Sequence, residues 1–252
     1  MYLKFIEVIS QGALKKKNLY ESSFAKYFVA SMIAGLFIGV GMLTMAVSNY
    51  VFSPIEFPVV KFINGFVFSL ALSLVIMAGG ELFTGNVMVF SMGAFHGDVK
   101  WSDFGKLCLI SYVGNLFGAL FLSLIFMGTG AAGEAVGKSL VDISMAKASQ
   151  PLQILFFKGI LCNVMVCLGV LICNGMNTES GKLIMVFWCI MPFVVLGFEH
   201  CVANMTCFLF AKLTTSTFTF GHMLHNLVPV TLGNIVGGLI VTVSYYFVGK
   251  EK

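Results

Sequence analysis

Six long apolar runs dominate the chain, and short polar stretches separate them. The runs cover residues 28–47, 61–81, 104–127, 151–173, 182–212 and 227–248. A helix of about 20 apolar residues spans the hydrocarbon core of a bilayer. The pattern therefore predicts an all-α integral membrane protein with six transmembrane helices.

Two of these runs contain residues that interrupt a helix. In the second run, Gly79, Gly80 and Gly85 are poor residues for a helix interior. In the fifth run, Glu199 and His200 stand in the middle of apolar sequence. We predict that the second and fifth helices are broken at these points, with a short half-helix over 86–95 after the first break.

Polar or glycine-rich stretches connect the runs. They comprise the Ser53-Pro54 turn, residues 96–103, residues 128–150, residues 174–181, the threonine-rich stretch 214–225 and a tail over 249–252. Ahead of the first run, Leu3, Ile6, Ile9 and Leu14 fall close to one helical face and three lysines follow them. This pattern predicts an amphipathic helix over 2–17 that lies along the membrane surface. It could anchor the chain at the interface or act as a lid on a pore.

Composition agrees with a membrane protein that has one compact domain. The 252 residues are 58% hydrophobic and 10% charged, with a mean hydropathy of +0.96. We expect a single transmembrane domain over 1–252, without a separate soluble catalytic domain. The net charge of +4 comes from scattered lysines, so nucleic acid is not an expected partner. The seven cysteines all lie in apolar runs and are predicted to be reduced core residues.

Six crossings place both termini on one side of the membrane. With the N-terminus inside, ten of the fifteen lysines are cytoplasmic and five are external. Positive charge concentrates on the cytoplasmic side of membrane proteins, so cytoplasmic termini are predicted.

The two halves of the chain repeat each other. Glu81 and Glu199 are 118 positions apart (199 − 81), as are Asn86 and Asn204, and the sequence 114–118 matches 233–237 at an offset of 119. Two halves with three helices each must have opposite orientations in the membrane. We therefore predict inverted repeats over about 28–127 and 151–248, whose broken segments meet near the bilayer midplane.

The residues at the breaks suggest a site for a small anion. Broken helices expose backbone N–H groups and a positive half-helix end, which attract anions. His200 and Thr84 are predicted to face each other, and burial should keep the imidazole neutral while it donates one hydrogen bond. Two glutamates and several asparagines are predicted to brace the broken helices: Glu81, Glu199, Asn86, Asn204 and Asn163, with Asn115 and Asn234 beside them.

Apolar side chains near the breaks could narrow a pathway on either side of His200. The candidates are Phe68, Leu72, Leu82, Phe83, Phe193 and Phe198. For any single phenylalanine, ordinary packing against lipid or another helix is the simpler interpretation.

Other functional classes fit the sequence poorly. An intramembrane serine protease needs a serine in a setting like Gly-x-Ser-x-Gly with a histidine partner, and the chain has no such motif. A water channel needs Asn-Pro-Ala motifs, and a metal transporter needs several histidines or carboxylates in its helices. No enzymatic activity, metal site or cofactor is expected. A passive anion channel and a proton-coupled secondary transporter both remain compatible with the residues.

The sequence resembles the formate/nitrite transporter family over nearly its whole length. The resemblance rests on five segments: 81–84, 114–119, 163–168, 197–205 and 226–234. It implies an aquaporin-like protomer, a homopentamer in membrane lipid with one pore per protomer, and passage of small monovalent anions or their acids. By this resemblance His200 and Thr84 form the central polar pair, and Lys147 is a vestibule lysine that attracts anions. The corresponding constrictions are Phe68, Leu72, Leu82 and Phe193.

One segment departs from the formate members of the family. They tend to carry Ala-Asp-Leu-Phe-Thr-Ser in the second span, where this chain has Gly-Glu-Leu-Phe-Thr-Gly with Glu81 and Gly85. This version is similar to the hydrosulfide branch of the family, which occurs in anaerobic bacteria. The resemblance implies a channel of the bacterial inner membrane that passes hydrosulfide, and also formate or nitrite.

Overall fold

The computed structural model describes residues 1–52, 57–130 and 133–250. The predicted turn at Ser53-Pro54 and the last two residues of the tail lie outside this part of the chain. The described helices are α1 (Tyr2–Ser22), α2 (Phe24–Val51), α3 (Phe57–Phe68), α4 (Leu70–Ala78), α5 (Phe83–His96), α6 (Trp101–Gly128), α7 (Glu134–Ala148), α8 (Leu152–Gly175), α9 (Glu179–Val195), α10 (Cys201–Thr214) and α11 (Phe220–Gly249).

Five helical segments in the described residues are long and apolar enough to cross a membrane. They are α2, the combined stretch Val59–Ala78, α6, α8 and α11. The apolar run over 182–212 is divided between α9, with 17 residues, and α10, with 14. Both are shorter than the about 20 residues that usually span a bilayer.

Both predicted breaks coincide with a glycine in a left-handed conformation. Gly79 has φ 85° and ends α4, while Gly197 has φ 71° and follows the end of α9. Side chains with a Cβ rarely adopt this conformation, so glycine is the residue suited to ending the helix at these points. These two glycines are also 118 positions apart, like the glutamates that follow them.

Glycines allow two pairs of helices to pack with their backbones in contact. A Cβ at Gly118 of α6 would clash with the carbonyl of Met32 in α2. In the second half, a Cβ at Gly237 of α11 would clash with the carbonyl of Ile160 in α8. Such close crossings of small residues stabilise helix pairs in a bilayer. The repeated glycines predicted from the sequence thus form equivalent contacts in the two halves.

Several helices differ from their predicted limits. α7 occupies the stretch 134–148, for which the sequence suggested only a polar connection; it buries Leu140, Ser144 and Ala148 and packs against α2, α10 and α11. α11 begins at Phe220 rather than near Leu227, because Thr219 and His222 form a reciprocal N-terminal cap. Small residues and capping groups set these limits, which hydropathy alone does not detect.

α1 is longer than predicted and packs against α5, α8 and α11. Ile6 and Ile9 of the predicted apolar face are buried, but Leu3 is exposed, and Ser10 and Ala13 are buried instead. Ser10 donates to Asp98 at 2.6 Å, and Lys17 pairs with Asp103 at 2.9 Å. The helix is therefore attached to the segment between α5 and α6 through Asp98 and to the first turn of α6 through Asp103.

Candidate functional site

An asparagine from a neighbouring helix holds each broken segment. Asn115 Oδ1 accepts a hydrogen bond from the Phe83 N–H at 2.9 Å, and its amide donates to the carbonyls of Ser31 and Glu81. Asn234 accepts from the Cys201 N–H at 3.0 Å and donates to the carbonyls of Gly159 and Glu199. Lipid cannot satisfy such backbone groups, and the two asparagines satisfy them within the protein.

Each of the two glutamates accepts hydrogen bonds from one asparagine and one lysine side chain. Glu81 accepts hydrogen bonds from Asn86 at 3.1 Å and from Lys16 at 2.7 Å. Glu199 accepts from Asn204 at 2.7 Å and from Lys147 at 3.0 Å. The two glutamates contact the side chains of Asn86 and Asn204, whereas Asn115 and Asn234 bind the backbone N–H groups of the loops.

Lys147 lies on α7 and pairs with Glu199, whose side chain is almost fully buried. Burial lowers the pKa of the Lys147 ammonium, but the nearby Glu199 carboxylate outweighs it, so that the pKa lies above its ordinary value. Lys147 therefore remains charged at neutral pH.

Lys16 is a site residue that the sequence did not reveal. It lies on α1 and pairs with Glu81 as Lys147 pairs with Glu199. Its distance from Lys147 along the chain does not match the repeat offset, so the repeat could not indicate it.

His200 caps α10 with one ring nitrogen and contacts Thr84 with the other. Nδ1 accepts the Ala203 N–H at 3.2 Å, and Nε2 lies 3.0 Å from Thr84 Oγ1. Since Nδ1 accepts a hydrogen bond, it carries no proton, and this network assigns the neutral tautomer with hydrogen on Nε2. The ring also stacks on Phe193, with 6.3 Å between ring centroids.

Thr84 is fully buried, and its backbone is held by Asn163. Asn163 donates to the carbonyl of Thr84 at 3.1 Å and to that of Asn234 at 2.6 Å. These two bonds connect the broken segment of one half to α11 of the other half. Thr84 borders none of the cavities described below, so its contact with the site runs through His200.

Three cavities follow one another through the protein. The Lys16 vestibule, of about 370 Å³, is bordered by Lys16, Glu81 and Asn86 among others. The Lys147 vestibule, of about 100 Å³, is bordered by Lys147, Glu199, His200 and Asn204. Between them lies a central cavity of about 10 Å³, which His200 also borders. That volume is close to the minimum needed for one water molecule.

Four of the six apolar residues named from the sequence lie where these cavities adjoin. Leu72 and Leu82 border both the Lys16 vestibule and the central cavity. Phe68 and Phe193 border both the central cavity and the Lys147 vestibule, and their rings pack edge to face. Phe198 borders the Lys147 vestibule, whereas Phe83 packs on Tyr112 away from all three cavities.

Comparison with known sequences identifies the family. The profile of the formate/nitrite transporter family matches residues 4–248. The chain belongs to the formate/nitrite transporter family. It is 34% identical to the uncharacterized transporter YwcJ of Bacillus subtilis, with 98% of each chain covered. It is 32% identical to the nitrite transporter NirC of Salmonella typhimurium, covering 100% of this chain and 93% of NirC.

Solved structures of this family share the fold. An ion channel of the family superposes with a TM-score of 0.90 and 28% identity, covering 98% of this chain and 99% of the other. A pentameric formate channel with bound formate superposes with a TM-score of 0.80 and 28% identity, covering 91% and 98% of the two chains. The protein is therefore a multi-pass membrane protein of a transporter family.

Proposed function

We propose that the protein is a passive channel for small monovalent anions, with hydrosulfide as its main substrate and formate and nitrite as further substrates. The observation that carries the proposal is the position of His200. This neutral donor borders a central cavity with an apolar pair of side chains on each side. Beyond each pair lies a vestibule that contains a lysine.

This arrangement explains how an anion could enter an apolar pathway. Lys16 and Lys147 attract the anion to the two vestibules, where water still solvates it. A bare anion pays a high desolvation cost between Leu72 and Leu82 or between Phe68 and Phe193. If the anion gains a proton from vestibule water, which leaves hydroxide behind, it passes these pairs as a neutral acid. In the centre, His200 Nε2–H exchanges its contact with Thr84 for a hydrogen bond to this neutral acid and keeps its own proton. In the other vestibule the acid gives its proton back to water and leaves as the anion.

The proposal includes a specific arrangement in the membrane. α9 and α10 together make one crossing, as do α3, α4 and α5, so that six broken or continuous helices cross the bilayer as inverted repeats of three. The protomers assemble as a homopentamer in the bacterial inner membrane, with both termini cytoplasmic and one pore in each protomer. The pentameric formate channel among the structural neighbours supports this assembly, and the lysine distribution supports the orientation.

The choice of hydrosulfide rests on the second broken segment. Glu81 and Gly85 both border the Lys16 vestibule, at the positions where the chain differs from the formate members it resembles. Gly85 leaves this wall without a side chain.

Flux into liposomes that contain the purified protein tests the proposal. Hydrosulfide, formate and nitrite would be compared with and without a proton gradient, for the wild type and for His200→Ala. We expect hydrosulfide to move fastest and without a gradient. Faster formate or nitrite flux would contradict the substrate, and flux that requires a gradient which His200→Ala abolishes would indicate a proton-coupled transporter instead.

A further inference from the structure

One buried polar atom of a residue that borders the Lys147 vestibule has no hydrogen-bond partner among the described residues. The side-chain oxygen of Asn204, Oδ1, is buried and has no hydrogen-bond donor among the described residues. Asn204 itself is fully buried and borders the Lys147 vestibule together with His200. A buried acceptor without a donor is unfavourable, and such atoms usually have a water molecule or a ligand as partner.

The orientation of this amide is set by its neighbours. Asn204 Nδ2 donates to Glu199 Oε2 at 2.7 Å and to Asn226 Oδ1 at 2.8 Å. The Asn226 amide is in turn oriented because it donates to the carbonyl of Lys147 at 3.0 Å. Rotating the Asn204 amide by half a turn would bring its oxygen against two acceptors. Both of its hydrogens are therefore used, and only its oxygen is available.

An available oxygen acceptor distinguishes between the substrates in the proposed function. Hydrosulfide carries an S–H hydrogen even as an anion. Formate and nitrite anions have no hydrogen on their charged oxygens and are repelled by an amide oxygen. Beside Asn204, the vestibule also offers the His200 ring and the Lys147 ammonium. A small anion that bears a hydrogen can accept a bond from the Lys147 ammonium, which has three N–H donors, while it donates to Asn204.

We propose that Asn204 Oδ1 forms a subsite that accepts a hydrogen bond from substrates that carry a proton, and that it favours hydrosulfide over formate and nitrite. This inference rests on the proposed function, since it assigns the selectivity of that same pathway. Neutral formic acid and nitrous acid also carry an O–H hydrogen, so the preference should be greatest at alkaline pH, where formate and nitrite are fully ionised.

Flux ratios measured on the same liposomes test the subsite. Removal of one hydrogen bond by Asn204→Ala should lower the ratio of hydrosulfide flux to formate flux about fivefold at alkaline pH, and less at acidic pH. Asn204→Ser keeps a hydroxyl that can accept and should restore part of the ratio. Asn163→Ala is the matched control, because it removes another buried asparagine that borders none of the three cavities; it should change all fluxes by the same factor.

The outcomes separate this inference from the proposed function. If the wild type does not conduct hydrosulfide, the proposed function fails. If the wild type conducts hydrosulfide and both Asn204 variants keep the wild-type ratio, the partner of Oδ1 is a structural water molecule and the subsite is refuted. If Asn204→Ala does not assemble, the ratio in Asn204→Ser decides, with the pH dependence of that ratio as the second measurement.

Discussion

At the scale of single residues, both ring nitrogens of His200 are used in contacts that disfavour protonation of the ring. Its Nδ1 caps α10, and its Nε2 faces Thr84 and the central cavity. Protonation of Nδ1 would remove the acceptor of the Ala203 N–H and place a positive charge at the positive end of a helix. The ring is thus suited to donate a hydrogen bond repeatedly without becoming an imidazolium.

Two substitutions of His200 separate capping from conduction. Asparagine is a good N-cap, so His200→Asn should keep the thermal stability of the wild type, whereas His200→Ala should lower the unfolding free energy by about 1 kcal/mol. Alanine has no donor and the asparagine amide lies nearer the backbone, so neither variant has a donor at the position of Nε2, and both should reduce anion flux about tenfold. Thermal unfolding in detergent and liposome flux measure the two effects. Wild-type flux in His200→Asn would show that the donor is not required.

The Lys147–Glu199 pair gives a second prediction at this scale. Lys147→Met leaves the Glu199 carboxylate buried without its cation, and should lower stability by about 3 kcal/mol. Adding Glu199→Gln should recover most of this loss, because the unpaired charge is then removed. Thermal unfolding of the single and double variants checks this coupling. Equal stability of the single and the double variant would contradict it.

The pKa shift of Lys147 sets the pH range of this contribution. Since the folded pKa lies above the ordinary value of 10.5, the stabilisation is fully present below 10.5 and is lost as pH rises through the folded pKa. The contribution of this pair to the free energy of unfolding should therefore not vary with pH near neutrality, which thermal unfolding of the wild type at several pH values measures.

At the scale of elements, α1 and α7 occupy corresponding places in the two halves. Each precedes the first long helix of its half, and each supplies a lysine to the glutamate of a broken segment. α1 is also attached through Ser10 and Lys17, so it forms part of the wall of the Lys16 vestibule.

Two neighbouring lysines of α1 test the role of the Lys16 vestibule. Lys16→Met removes the charge beside Glu81 and should lower anion flux and reduce its dependence on salt concentration. Lys15→Met is the control, because Lys15 is exposed on the same helix and does not border the vestibule. Flux at two salt concentrations measures the difference. An equal effect of both substitutions on flux would show that flux depends on the overall surface charge and not on Lys16 in particular.

The close helix crossings give a further prediction. Gly118→Val and Gly237→Val place a side chain against a facing backbone and should prevent folding or assembly. Gly105→Ala is the control on α6, since a Cβ there meets nothing within 4 Å. Yield of monodisperse protein in size-exclusion chromatography measures the outcome, and normal yield of both valine variants would contradict the role of the crossings.

At the scale of the whole molecule, the proposed pathway follows three cavities that this chain borders. Both vestibules and the central cavity are bordered by side chains of one protomer. The apolar surface that the chain exposes, including Leu109 and Leu224, must be covered by lipid or by another protomer.

The proposed homopentamer has a direct test. Native mass spectrometry from lipid nanodiscs should give the mass of five chains of 27.4 kDa each. Chemical cross-linking in membranes provides an independent count. A trimer or a monomer in both measurements would contradict the proposed assembly.

Much of the candidate site could be predicted from the sequence because it interrupts long apolar runs. Glu81, Glu199 and His200 are expensive to bury in lipid, so their presence there indicates a site. The offset of 118 then predicted that the two broken segments are equivalent. Lys16 was not predicted because it lies outside the repeated segments. It is one of three consecutive lysines on an amphipathic helix, and nothing in the sequence distinguishes it from its neighbours.

The sequence alone determined that this is a helical membrane protein with two related halves, since hydropathy and the repeat follow directly from residue order. Only the tertiary structure decided which groups satisfy one another. The assignment of Asn115 and Asn234 to the loop N–H groups, the pairing of Lys16 with Glu81, and the unpartnered oxygen of Asn204 depend on distances between segments far apart in the chain. Hydrogen bonds are short and directional, so residue spacing cannot specify them until the helices are packed.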